Sequence, residues 1–114
     1  MKSARKASRQ LLQALDCVLD PAVFRVLSEE VRIDLFKFLL LKGPADVGTI
    51  ASAFPVDRSV VSRHLSMMED VELLRSEKLG RSRIYSVDLA CFIETFEEGA
   101  KVLRELGKIT AGKS

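Results

Sequence analysis

The residues best equipped for chemistry lie between Asp57 and Asp70, in the stretch DRSVVSRHLSMMED. Val61, Leu65 and Met68 recur at the spacing of one helix face, with Val60 and Met67 beside them, which is the apolar stripe of a half-buried helix. Asp57 suits the N-cap, since a carboxylate there can accept from the free N–H groups of the first turn. The opposite face carries Arg58, Ser59, Ser62, Arg63 and Ser66, and no acid lies on it between Arg58 and Ser66. Arginine offers a planar donor fork to guanine edges or phosphates, and serine is short enough to allow close approach. Such a face fits the major groove of duplex DNA. It also fits a solvated helix surface, and this stretch alone does not separate the two.

Other chemistry is thin. The single histidine, His64, falls inside the same stretch, where it is either a phosphate contact or a packed ring. There is no CxxC or CxC, no glycine-rich phosphate loop and no nucleophile signature, so an enzyme is not expected. A zinc site would need carboxylates or a second subunit to complete its ligands, and neither a metal nor a cofactor is expected. Cys17 and Cys91 are the only thiols. Each is either a small buried hydrophobe or half of a reactive pair.

The chain has 114 residues, 47% hydrophobic and 30% charged, the balance of one soluble globular domain with a modest core. A net charge of +2 says little about partners, but the distribution says more. Lys2, Arg5, Lys6 and Arg9 form an unopposed basic run, either a solubilising tail or a set of phosphate contacts. Arg75, Lys78, Arg81 and Arg83 cluster near Glu77. Gln13 and Asp16 interrupt the apolar run that follows the basic segment, so it does not read as a signal peptide. No stretch reaches the roughly 18 apolar residues of a membrane span. A cytoplasmic protein is expected.

Stepping along the chain, Ala4 to Leu19 is predicted helical, with Leu11, Leu15, Val18 and Ala22 on one face and Leu12 and Leu19 widening it. Pro21 breaks that helix, and a short one follows from Pro21 to Leu27. Ser28 is expected to cap a helix running to about Leu41, so rich in apolar residues that it should be the buried centre of the fold. Gly43 suits its left-handed end. Asp46 caps a third helix, Val47 to Phe54, and only Pro55 and Val56 separate it from Asp57. Two short helices joined this tightly, the second with a polar outer face, form a helix-turn-helix. Leu73 to Lys78 and Ser82 to Val87 then read as a β-hairpin around Leu79, Gly80 and Arg81, with Tyr85 at its base. Asp88 caps a last helix to about Leu106, striped by Leu89, Phe92, Ile93, Phe96, Ala100 and Leu103, and Gly107 is expected to close it. Gly112, Lys113 and Ser114 form a tail. The first and last helices are left with apolar faces that a second copy of the chain would cover.

This pattern resembles the ArsR/SmtB family of winged-helix repressors. The resemblance rests on VFRVLSEEVRIDLFKFL, DVGTIASAF, VDRSVVSRHLSMMEDVELL and RSEKLGRSRIYSVD, and it covers almost the whole chain. It implies a mainly α fold with a small β-hairpin, a winged helix-turn-helix, dimerisation through the first and last helices, and repression relieved by an inducer. Arsenical sensors of the family carry a cysteine pair on the third helix, and PADVGTIASAF has none. Its zinc, nickel and cobalt sensors use last-helix histidines, and DLACFIETFEEGAKVLREL has none, which leaves Asp88, Glu94, Glu97 and Glu98 as oxygen donors. Cys17 and Cys91 resemble the thiol-based sensors of the family, although there the partner cysteine sits on the second helix.

The sequence therefore leads us to expect one domain, 1–114, with dimerisation helices at about 4–27 and 88–106. It should act as a homodimeric repressor on double-stranded, pseudo-palindromic operator DNA, without membrane association, answering to a small inducer. Arg58, Ser59, Ser62, Arg63, His64 and Ser66 would meet DNA from the helix, and Lys78, Arg81 and Arg83 from the hairpin. Cys17 and Cys91 would be the thiol sensor. The rival expectation is a winged-helix module that uses the same basic face to hold an acidic protein.

Overall fold

A computed structural model describes residues 2–112, with side chains from Arg5 onward. Lys113 and Ser114 of the expected tail, and the Lys2 side chain of the basic run, lie outside the described residues. The chain divides into two compact units: the residues up to Asp20 together with those from Ala90 on, and Pro21–Leu89.

The first unit is helical. Helix α1 (Lys2–Ala14) stops earlier than its apolar spacing suggests and tightens into a 3-10 turn at Leu15–Cys17, closed by the Leu19 N–H on the Leu15 carbonyl at 2.7 Å. The residue before Pro21 is disfavoured in a helix, which keeps this turn from running on into the next helix. The last helix, labelled α6 once the elements below are counted, spans Leu89–Ala111. Its buried positions are Gly99 and Val102, and Gly99 faces Val18 so closely that an added Cβ would lie 2.7 Å from a valine methyl. The stripe expected to be apolar is indeed apolar, yet Ile93, Phe96 and Leu103 remain about half exposed, as does Leu12 of α1. Gly107 does not close the helix. It sits inside, with open space around it, and the helix continues for another turn with Thr110 bonded to the Leu106 carbonyl. Glycine weakens a helix interior without forbidding it.

The second unit contains α2 (Pro21–Val26), α3 (Glu30–Lys42), β1 (Ala45–Asp46), α4 (Val47–Ser52), α5 (Arg58–Asp70), β2 (Arg75–Leu79) and β3 (Ser82–Ser86), and it ends where α6 begins. Its core is Leu35, Leu39, Ile50, Val61, Leu65, Met68 and Leu74, all nearly or fully removed from solvent. Fully burying each such side chain stabilises by roughly 1.5–3 kcal/mol before entropy is subtracted. Helix α3 is half buried, not the enclosed centre its composition suggests: Leu35, Phe36 and Leu39 face inward, while Leu40 and Leu41 are exposed. Ser28 does not cap it either. Its hydroxyl donates to the Arg25 carbonyl at the end of α2, and Glu29 becomes the N-cap without a side-chain bond. Gly43 takes the expected positive φ of 84° and donates to the Leu39 carbonyl.

The hairpin gains a third strand. β1 pairs antiparallel with β3, Ala45 opposite Tyr85 and Asp46 opposite Ile84, so the order is β1-β3-β2 with β3 central. That pairing buries Tyr85 to 4% exposure. Glu72, at a φ of 63°, turns the chain from α5 into β2.

Two substitutions in α6 should act in opposite directions. Gly99→Ala should cost about 1–3 kcal/mol, since the stiff Val18 must move, whereas Gly107→Ala should add about 0.5–1 kcal/mol. Urea unfolding of each variant checks both, and equal effects would contradict the packing described.

Candidate nucleic-acid interface

Helix α5 stands where α4 and the turn before Asp57 put it. Asp46 caps α4 as expected: its carboxylate accepts from the Thr49 N–H at 2.7 Å, and hydrogen bonding from the Thr49 side chain first, then from this N–H, helped by the Arg58 guanidinium, holds its pKa below the ordinary carboxylate value. Asp57 occupies the N-cap of α5, but its carbonyl and not its side chain takes the first bonds, from the N–H groups of Val60 and Val61. Val61, Leu65 and Met68 are wholly buried. Their burial turns Arg58, Ser59, Arg63 and Ser66 outward, all exposed, with Ser62 half-buried among them. Arg58 leans across the turn, its guanidinium packed over Gly48 of α4, where a side chain larger than hydrogen would reach van der Waals contact with it.

His64 is placed differently from its neighbours. It is half-buried, and the Arg32 Nε–H of α3 donates to its Nδ1 at 3.1 Å. A nitrogen that accepts must carry no proton, so the remaining hydrogen is on Nε2. Burial first, then the charge of Arg32, lowers its pKa from the ordinary 6.5, with Arg63 adding to the effect and Glu29 opposing it. The sequence offered no sign of this contact, because its partners are 32 residues apart and neither belongs to a local motif.

On the wing, Lys78 and Arg81 are exposed at the tip, with Gly80 at a φ of 62° making the two-residue turn between Leu79 and Ser82. Arg83 is exposed too, but its guanidinium donates to the Ser76 hydroxyl at 2.8 Å, and that hydroxyl in turn donates to the Glu69 carboxylate at the end of α5. Arg75 pairs with Asp88 at 3.3 Å. Burial, followed by the nearby Glu69 charge, raises the Tyr85 pKa above its ordinary 10.0, so the phenol stays neutral at the base of the sheet.

Cys17 and Cys91 are both exposed and line one open depression of about 220 Å³ in the helical unit, together with Val18, Glu94, Thr95 and Glu98. Among the described residues no group of three or more His, Cys, Asp or Glu side chains could hold a metal ion. No helix among them is long and apolar enough to cross a membrane.

A family model described as a helix-turn-helix domain matches residues 27–77, the span from the end of α2 into β2. A solved ArsR-like transcriptional regulator from Rhodococcus sp. RHA1 is 27% identical, covering 80% of this chain and 85% of its own, with a TM-score of 0.66. The chain thus carries a helix-turn-helix and is similar over most of its length to ArsR-like transcriptional regulators. The antimony-specific repressor AntR is similar at 26% identity over 75% of this chain and 78% of its own, TM-score 0.55. A homodimeric winged helix-turn-helix DNA-binding domain from Mycobacterium bovis shares the fold at 23% identity, covering 87% of this chain and 82% of its own, TM-score 0.56. No curated protein matches the chain.

The lowered His64 pKa fixes a sign for this chain. The unfolded chain takes up its imidazole proton near pH 6.5, before folded His64 does, so the stability given by neutral His64 is complete above that pH and declines as pH falls below it. Melting midpoints followed from about pH 7.5 to 5.5 should therefore drop, and His64→Asn should remove that part of the drop. A midpoint that rises on acidification would refute a neutral imidazole bonded to Arg32.

Proposed function

We propose that the chain is a homodimeric repressor that inserts α5 of each copy into the major groove of a pseudo-palindromic operator. The observation that carries this reading is the outer face of α5 from Arg58 to Ser66. It is polar, solvent-facing and free of acids, and it adjoins a hairpin with a basic tip. Arg63, with Ser59, Ser62 and Ser66, reads base edges, Arg58 adds a contact beside α4, and Lys78, Arg81 and Arg83 hold flanking phosphates. His64 is left out of this set because its Nδ1 is engaged by Arg32. Binding, and not catalysis, is the activity, and the setting is cytoplasmic.

The dimer is supported by the half-exposed Leu12, Ile93, Phe96 and Leu103, an apolar face that water would otherwise wet. It is supported as well by the homodimeric bacterial relative of the same fold. Two copies would set half-sites roughly one helical turn, about 34 Å, apart or a multiple of it. The inducer acts on Cys17 and Cys91, which share one depression. A peroxide would oxidise the two thiols to one disulfide, its O–O bond cleaving as two waters form, and the cross-link would change the spacing of the paired α5 helices.

In gel shifts on the promoter of its own gene, Arg63→Ala should reduce discrimination about tenfold. Lys78→Ala should instead weaken all duplexes alike and lower the salt slope by about one. The reverse pattern, or a chain that binds no duplex and sediments as a monomer at micromolar concentration, sinks the reading. For the switch, hydrogen peroxide should remove both titratable thiols and lower promoter affinity, and Cys91→Ser should abolish the response. Unchanged thiols or a flat affinity would rule it out.

A further inference from the structure

We infer that Arg32, which lies outside the DNA-facing surface, is a positioning residue that seats the recognition helix and so sets operator discrimination; the inference rests on the DNA-binding role proposed above. One guanidinium on α3 joins three elements. Its Nη1 donates to the Val26 carbonyl at the end of α2 at 3.1 Å, its Nε to His64 Nδ1 at 3.1 Å, and its Nη2 to the Met67 sulfur at 3.4 Å. His64 and Met67 are one turn apart on α5. Two attachment points on one helix restrict both its slide and its rotation about its own axis, which a single contact cannot do.

The apolar core alone leaves that rotation loosely specified. Val61, Leu65 and Met68 give non-directional attraction, and neighbouring Met67 is 41% exposed. A side chain about 6 Å from the helix axis moves by about 1 Å when the helix turns by about 10°, enough to break a bidentate contact to a base. Arg63 directly precedes His64, so whatever fixes the imidazole also fixes the arginine beside it. The guanidinium is suited to this task because its donors form a rigid fork, whereas lysine would supply one mobile ammonium in its place. The bond to His64 further requires a neutral imidazole. The charged groups that act on that ring are Arg32 and Glu29 from the α3 side and Arg63 on α5.

The test uses the full chain and a duplex that the wild-type protein selects from randomised DNA, compared with a scrambled duplex of the same composition. Arg32→Met should keep the helical circular-dichroism spectrum yet lose about tenfold in the ratio of selected to scrambled affinity. Arg32→Lys, which keeps the charge and loses the fork, should bind scrambled DNA like the wild type and still discriminate poorly. His64→Asn retains an acceptor near Nδ1 and should lose less than His64→Phe, and adding Arg32→Met to His64→Phe should cost nothing more. Because His64 is the only histidine, its proton NMR titration reports the contact without DNA. Its pKa should rise in Arg32→Met. A wild-type chain that selects no sequence overturns the DNA reading, and any discriminating role of Arg32 with it. A wild-type chain that selects, beside an Arg32→Met chain that discriminates equally well or titrates identically, overturns this inference alone.

Discussion

One-sided burial of α5 is the constraint on which the rest depends. Val61, Leu65 and Met68 are fully removed from water beside Leu35, Leu39 and Ile50, and a helix of 3.6 residues per turn that hides this stripe must present the residues between its members to solvent. The polar face is therefore a consequence of the apolar one. Arg63 and Ser59 need no partner of their own to be held outward, because turning them inward would expose the stripe and bury charge.

Hydrogen bonds then refine what the core leaves loose. Asp46 caps α4, Arg32 ties α2 and α3 to α5, and the chain from Arg83 through Ser76 to Glu69 ties the wing to the end of α5. These contacts are partly exposed, so each is worth little in stability. Their value is directional. A recognition helix and a wing that must meet the same duplex need a fixed relation, and an apolar core of interchangeable contacts does not supply one. Some of the cationic side chains near the interface are thus structural in part, Arg83 and Arg75 among them, while Lys78 and Arg81 are exposed at the hairpin tip.

The helical unit works by a different logic. Gly99 lets α6 approach Val18 to a distance that no other residue permits, and Phe96, Leu103 and Ile93, on the flank beside it, stay about half exposed. A small residue at the contact within the unit, flanked by large half-exposed ones, leaves an apolar surface for the second copy proposed above. The two thiols line a depression in this unit.

What the amino-acid order determined by itself was everything governed by near neighbours. The stripe of α5, the Asp46 cap, the left-handed Gly43, the tight turn into α5 and the Gly80 hairpin are each written within a few residues. Periodicity, caps and φ preferences act over that range. Tertiary structure decided what depends on distant meetings. The two-residue β1 is too short to signal itself and exists only because β3 offers it hydrogen bonds. Ser28 stood between the free carbonyls at the end of α2 and the free N–H groups at the start of α3, and its hydroxyl closed α2. Helix α3 looked enclosed because apolar content says how much can be buried, not how much surface is available to bury it. Arg32 found His64 across 32 residues, a pairing that no local pattern encodes because it is fixed by how the helices pack.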